Sequence, residues 1–227
     1  MGKHHSIAID GPAGAGKSTV ARRIAEELGY YYVDTGAIYR TVGYYICLCG
    51  IGPRDVDGVT RLIDEVNLEI RYPGDGLQHM ILKGQDVTEE LRTPEMSDYA
   101  SKISALKVVR DFLLDTQRDL ARKHNVVMDG RDIGTVVLPH ADVKIFLTAS
   151  AEERARRRWE EMRQHGDQKT TYAAVLADLK ERDQRDMNRA VAPLKCAPDA
   201  IKLDTSGNSV EDSIEAMKEI IRKKLGQ

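Results

Sequence analysis

Five short apolar runs recur along the chain, each followed by a longer segment in which polar and apolar positions alternate at helical spacing. They are Ser6-Ile7-Ala8-Ile9-Asp10, Tyr30 to Asp34, Asn125 to Asp129, Val143 to Leu147 and Ala200 to Asp204. Apolar runs without a polar face mark strands covered on both sides, and helical crossovers between them require parallel pairing with right-handed connections. The pattern predicts an α/β fold with a five-stranded parallel sheet covered by helices. Three of the runs end in an aspartate, Asp10, Asp34 and Asp129. In such sheets ligands bind beyond the carboxyl ends of the strands, so these carboxylates are site candidates before any motif is considered.

One segment breaks the rhythm. Val66 to Tyr72 and Met80 to Leu82 flank a Pro73-Gly74-Asp75-Gly76 turn, with Gly84 and Asp86-Val87 following, which predicts a small antiparallel β insertion. Loop signals at Gly50 to Pro53 and at Thr93-Pro94 bound it. The expected organisation is a core of residues 1–36 and 103–227, with a peripheral subdomain of residues 37–102 that carries the insertion.

Composition narrows the classes of function. The 227 residues are 41% hydrophobic and 31% charged, which supports a sizeable core and excludes intrinsic disorder at a net charge of −2. With 34 Lys and Arg against 36 Asp and Glu, no global basic field draws the chain to nucleic acid or anionic lipid, and anion binding must be local. No apolar run reaches the roughly 18 to 20 residues of a membrane span, and no leader-type apolar stretch follows the N-terminus. Cys47, Cys49 and Cys196 cannot all pair, and no second Cys/His pair at zinc spacing accompanies Cys47-Leu48-Cys49. A soluble, monomeric, cytoplasmic protein without disulfides, and with neither membrane nor nucleic-acid partners, is expected.

The first strand runs into Gly11-Pro12-Ala13-Gly14-Ala15-Gly16-Lys17-Ser18-Thr19, a match to G-x-x-x-x-G-K-[ST], and then into a helical pattern from Val20 to Leu28. In such a P-loop the glycines let backbone N–H groups curl around a β-phosphate and the helix N-terminus adds positive potential. Lys17 then reaches the β/γ oxygens, Ser18 can ligate Mg²⁺, and Thr19 supports the α-phosphate. Asp129, at a strand end, suits the acidic partner of the Mg²⁺ water shell. A flexible glycine-rich turn without a ligand is the bland alternative, and the strand and helix on either side argue against it.

P-loops serve motors, switches and kinases alike, so the acceptor must be sought elsewhere. Four arginine-bearing clusters stand out. Asp34-Thr35-Gly36-Ala37-Ile38-Tyr39-Arg40 follows the second strand, and Arg40 can fork onto a phosphate. Asp129-Gly130-Arg131-Asp132-Ile133-Gly134 turns tightly, so that Arg131 and Asp132 project over the sheet edge. Arg154, Arg157 and Arg158 share a helix face that can clamp a triphosphate. Arg182, Arg185, Asp186 and Arg189 form a charged stripe beside the apolar Val175, Leu176 and Leu179. Either basic helix alone reads more simply as a solvated face; four clusters in a P-loop chain of net charge −2 argue for convergence on phosphate. Between the two helices, Met162 to Gln168 reads as a short mobile cover, a lid at about residues 160–170, or equally as an ordinary helix connection.

Four motifs together resemble the bacterial cytidylate kinase family of P-loop nucleoside monophosphate kinases. They are I-x-I-D-G-P-x-G-A-G-K-S-T from Ile7, D-T-G-A-I-Y-R from Asp34, D-G-R-D-I-G-T-V-V-x-P from Asp129 and K-E-R-D-x-R-D-x-N-R-A-V-A-P-L from Lys180. The similarity runs over essentially the whole chain, and the last three motifs are the specific ones. It implies a P-loop core, a monophosphate-binding subdomain enlarged by a β insertion, and a short lid. The implied reaction moves the γ-phosphoryl group of ATP to CMP or dCMP with Mg²⁺, in pyrimidine nucleotide metabolism. By the same resemblance Thr35, Arg40, Arg131 and Arg189 meet the monophosphate of CMP, Ser101, Arg110 and Asp132 read cytosine, and Arg182 and Asp186 hold the sugar. Thr35 stands where many relatives carry serine, so an added methyl accompanies the expected hydroxyl contact.

Base chemistry supports the carry-over. Cytosine offers an N4 donor beside N3 and O2 acceptors, which suits an aspartate and an arginine, whereas O4 of uracil would face Asp132 acceptor to acceptor. The accepting phosphate oxygen is ionised at neutral pH and needs no general base. Lys17, Mg²⁺ and Arg131, Arg157, Arg158 and Arg182 are then the expected stabilisers of a loose transition state. Rival readings are a GTPase-type switch, a kinase of another small acceptor such as adenylate or shikimate, and a nucleic-acid binder. The guanine-reading N-K-x-D of the first is absent, since no lysine follows Asn67, Asn125, Asn188 or Asn208.

Overall fold

In the computed structural model, which describes residues 4–74 and 76–226, the five predicted strands form a single parallel sheet. They are β1 (Ser6–Asp10), β2 (Tyr31–Asp34), β6 (Val126–Gly130), β7 (Val143–Thr148) and β8 (Ile201–Asp204), in the order β2-β6-β1-β7-β8. Side chains alternate across this sheet, and each face has its own apolar cluster. Ile7, Ile9, Val127, Ile145 and Leu147 point to the side covered by α1 (Lys17–Leu28) and α8 (Val210–Leu225). Ala8, Val33, Val126 and Met128 point to the other, against α2 (Thr35–Leu48) and α5 (Lys107–Lys123). Burying one such aliphatic side chain contributes roughly 1.5–3 kcal/mol, and this two-sided burial is why the runs lack a polar face.

The insertion lies between α3 (Val56–Leu62) and α4 (Pro94–Ile103). It is a three-stranded antiparallel sheet of β3 (Leu68–Arg71), β4 (His79–Leu82) and β5 (Gln85–Asp86). Asp75 of the expected turn lies outside the described residues. β4 and β5 are joined by Lys83 and Gly84, both at positive φ (48° and 83°), the conformation of a two-residue type I′ hairpin turn. Met80 and Leu82 belong to the same apolar cluster as Val33 and Met128, so the insertion shares its core with one face of the main sheet.

Two local boundaries differ from the sequence expectation. The first helix begins at Lys17 rather than Val20, because the αL conformation of Gly16 (φ 82°) starts it directly after the loop. Beyond the tight turn at Gly130, Ile133–Val137 forms a π-helical turn. Met162, Arg163 and Gln164, expected in a mobile cover, belong to α6 (Ala151–Gln164). The remaining connection to α7 (Tyr172–Asn188) is ordered by Asp167, which accepts from the N–H groups of Lys169 and Thr170, and by Trp159, whose indole donates to the Thr170 carbonyl at 3.0 Å. Among the described residues no helix is long and apolar enough to cross a membrane.

Candidate active site

Strand register gathers the three terminal aspartates. Asp129 pairs with Asp34 on one side and Ile9 on the other, which sets Asp10 one residue beyond. The loop after β1 then turns at Gly11 (φ 153°), where a Cβ would meet the Leu147 carbonyl at 1.9 Å, so only glycine fits against β7. No side chain caps the first turn of α1, which leaves its N–H groups available to an anion. Lys17 curls back over the loop and donates to the Pro12 carbonyl at 2.7 Å. Burial, and next the nearby Arg131, push its amine down to about 7.

Asp129 accepts from the Ser18 hydroxyl at 3.1 Å and from the Tyr32 phenol at 2.9 Å. Burial, with the Asp34 charge second, raises its carboxyl to about 6. Asp10 accepts from the N–H groups of Ile133 and Gly134, both at 2.7 Å, and thereby pins the loop that follows β6. Burial outweighs these two bonds and raises it to about 6 as well.

Beyond the phosphate loop lies a field of guanidinium groups. Arg40 donates to Asp34 at 2.8 Å and Arg131 to Asp186 at 2.9 Å, while the buried Nε atoms of Arg40 and Arg182 have no hydrogen-bond partner. Burial, and next the charge of Arg131, lower Arg182 to about 10. Deeper still, Asp132 is bracketed by Arg110 on one oxygen and Arg189 on the other, the latter at 3.0 Å. Arg110 also bonds the Ser104 carbonyl at 3.1 Å and lies over the Tyr39 ring, and Arg189 is held by the Ala192 carbonyl at 2.6 Å. The Ser101 hydroxyl is buried beside this cluster without a partner.

A single cleft of about 1080 Å³ is lined by every residue the sequence put forward except Asp10, Gly11, Pro12 and Arg154. Gly11 and Pro12 are buried at the start of the loop. Arg154 departs from the expected triphosphate clamp: it is buried, and its guanidinium donates to the carbonyls of Ala149 and Ala13 and to Asp183 at 2.9, 2.8 and 2.6 Å. It braces the back of the phosphate loop, and so does not share a free face with Arg157 and Arg158. Arg157 donates to the Thr205 carbonyl at 2.8 Å and to Glu153, and Arg158 pairs with Glu161 at the rim. Thr35 lines the cleft, but its hydroxyl donates to the Asp129 carbonyl at 2.7 Å.

Sequence reasoning passed over Asp183, Tyr32 and Tyr39. Asp183 had a readable signal, because it continues the apolar stripe of Val175 and Leu179 at i+4 spacing, where a carboxylate requires a buried partner. For Tyr32 and Tyr39, apolar neighbours in the sequence masked the hydroxyl and the ring contact.

The family model for cytidylate kinase matches residues 7–223. A cytidylate kinase from Caldicellulosiruptor bescii is 47% identical over 221 residues, covering 97% of each chain, and one from Carboxydothermus hydrogenoformans is 49% identical over 218 residues, covering 96% of this chain and 97% of the relative. Among solved structures, an uncharacterized protein from Eubacterium ventriosum superimposes with a TM-score of 0.54 at 14% identity over 96% of this chain and 98% of that one, a likeness of fold. With residues 7–223 matched and its phosphate loop and arginine field in one cleft, this chain belongs to the cytidylate kinase family.

Proposed function

We propose that the protein transfers the γ-phosphoryl group of ATP to CMP or dCMP, giving ADP and CDP or dCDP, within pyrimidine nucleotide metabolism. The observation that carries this reading is the continuity of the cleft, which runs from the phosphate loop past Arg131, Arg182 and Arg40 to the buried Arg110–Asp132–Arg189 cluster. A polyphosphate fits the first end and a cytosine the last, with the two phosphate tails meeting among fixed cations.

The roles follow from these surroundings. The phosphate loop and Lys17 bind the donor tail. Arg40, Arg131 and Arg182 neutralise the accepting phosphate and the charge that develops on the equatorial oxygens, the largest electrostatic contribution available to a loose transition state. Asp132 accepts from the N4 amino group while its two arginines fix its orientation, and Ser101 offers a further hydroxyl. An ionised acceptor oxygen requires no proton removal, and no residue is assigned as a base. Magnesium suits Ser18 and Asp129: both offer hard oxygen donors, they lie 3.1 Å apart, and among the described residues no cluster of three acidic, His or Cys ligands would enclose a cation completely. When bound, such an ion supplies charge neutralisation between the donor phosphates.

A coupled ADP-release assay across the common nucleoside monophosphates tests the reading. CMP and dCMP are expected to be the preferred acceptors; a protein that forms no CDP from ATP, CMP and magnesium refutes it.

A further inference from the structure

The β insertion grips the free edge of the main sheet at one place, and that place lies behind the acceptor-phosphate arginine. β2 is an edge strand, with one side unpaired by any neighbour in the sheet. Along that side the Tyr72 hydroxyl, next after β3, donates to the Tyr32 carbonyl at 2.9 Å. Gln78, next before β4, uses both ends of its amide on one residue: its Oε1 accepts from the Asp34 N–H at 2.7 Å, and its Nε2 donates to the Asp34 carbonyl at 3.2 Å. Tyr32 and Asp34 are two apart, so their backbone groups face the same edge. The two ends of the β3–β4 connection thus act as a surrogate sixth strand. The Tyr72 ring adds an edge contact on Tyr31, with centroids 4.5 Å apart.

Asp34 is also where the insertion meets the cleft. Its carboxylate caps α2 by accepting from the Ala37 N–H at 2.9 Å, and it holds Arg40 at 2.8 Å. The buried Nε of Arg40 is without a partner and belongs to the arginine field of the cleft. We infer that Gln78 is a positioning residue for acceptor binding: by clamping the Asp34 backbone it fixes the carboxylate that aims Arg40 at the monophosphate. This inference rests on the kinase reading for the identity of the acceptor. It assigns the insertion a task of its own, setting the affinity for the accepting nucleotide from outside the cleft.

Gln78→Met keeps the length of the side chain and removes both hydrogen bonds to Asp34, together with the one its Nε2 donates to the Met80 Sδ at 3.1 Å, and Tyr72→Phe keeps the ring and removes the bond to Tyr32. Losing two net hydrogen bonds that order a binding group weakens acceptor binding by roughly five- to twentyfold. In Gln78→Met the KM for CMP is therefore expected to rise by that factor, with the KM for ATP within about twofold of wild type and Tm lower by about 2–8 °C. Gln78→Glu, which retains the acceptor for the Asp34 N–H but sets a carboxylate against the Asp34 carbonyl, is expected to be at least as impaired. Titration calorimetry with CMP in the absence of ATP reads the same loss without turnover. Equal rises in both KM values, or unchanged CMP affinity in Gln78→Met, overturns the inference. Failure of the wild type to make CDP is a separate result, seen before any variant is made, and defeats the kinase reading instead.

Discussion

Replacing Arg154 by methionine tests whether the back of the phosphate loop is held by a buried ion pair. The arginine and Asp183 side chains are 5% and 10% exposed, so solvent screens the pair very little. Methionine retains much of the apolar stem, and the packing loss is small. What disappears is one charge-assisted bond and two bonds to carbonyls, while Asp183 remains as a buried charge with no counter-ion. Breaking a buried pair from one side costs about 3–5 kcal/mol, and for a chain of this length that is a fall in Tm of about 6–20 °C. Urea unfolding followed by circular dichroism measures it. The double variant Arg154→Met, Asp183→Leu leaves no stranded charge and is expected to recover to within about 2 kcal/mol of wild type. Both variants release the Ala13 carbonyl, so both should raise the KM for ATP. A single variant within about 1 kcal/mol of wild type, or a double variant less stable than the single one, would refute the reasoning.

Three further outcomes follow from the same geometry. Lys17→Met should lower kcat by roughly 10² to 10³ or more, the loss typical of removing one preorganised donor, while Tm stays level or rises because an amine held near 7 is costly to bury; near-normal turnover counts against the role given to Lys17. Asp132→Ala should reduce the CMP to UMP ratio of kcat/KM by about tenfold or more, since the base then meets two arginines and no acceptor; an unchanged ratio removes the base-reading assignment. Asp10, raised from 3.8 to about 6, is bound more tightly to its proton in the folded state than in the unfolded one, so its contribution to stability is complete below about pH 4 and is lost as pH climbs through about 6. Asp10→Asn has no such titration, and its stability relative to wild type should improve by about 3 kcal/mol between pH 4 and 7 in paired urea melts; a constant difference across that range contradicts the assignment.

Much of the fold was legible because burial on both faces leaves a continuous apolar run in the central strands β1, β6 and β7, and all five predicted runs became strands of one sheet, although the edge strand β8 alternates between half-buried and exposed positions. The phosphate loop was legible because its function lies in the backbone, which glycine spacing reports directly. Arg154 shows where that legibility ends. Helical spacing placed it beside Arg157 and Arg158, yet its direction was decided by Asp183 and by the Ala13 carbonyl, partners 29 and 141 residues away. Thr35 is similar: its hydroxyl answers to the Asp129 carbonyl, across 94 residues. Gln78 had no signal, because a glutamine near a turn carries no mark of the edge strand it will cap.

The lowered basicity of Lys17 ties occupancy of the cleft to the acidity of the surrounding solution. Burial holds the amine well below its ordinary value of 10.5, and an incoming polyphosphate draws it back up. Donor binding is therefore accompanied by net proton uptake from the buffer, and its affinity declines as the medium turns alkaline. Calorimetric heats recorded in buffers of different ionisation enthalpy will diverge in proportion to the protons taken up.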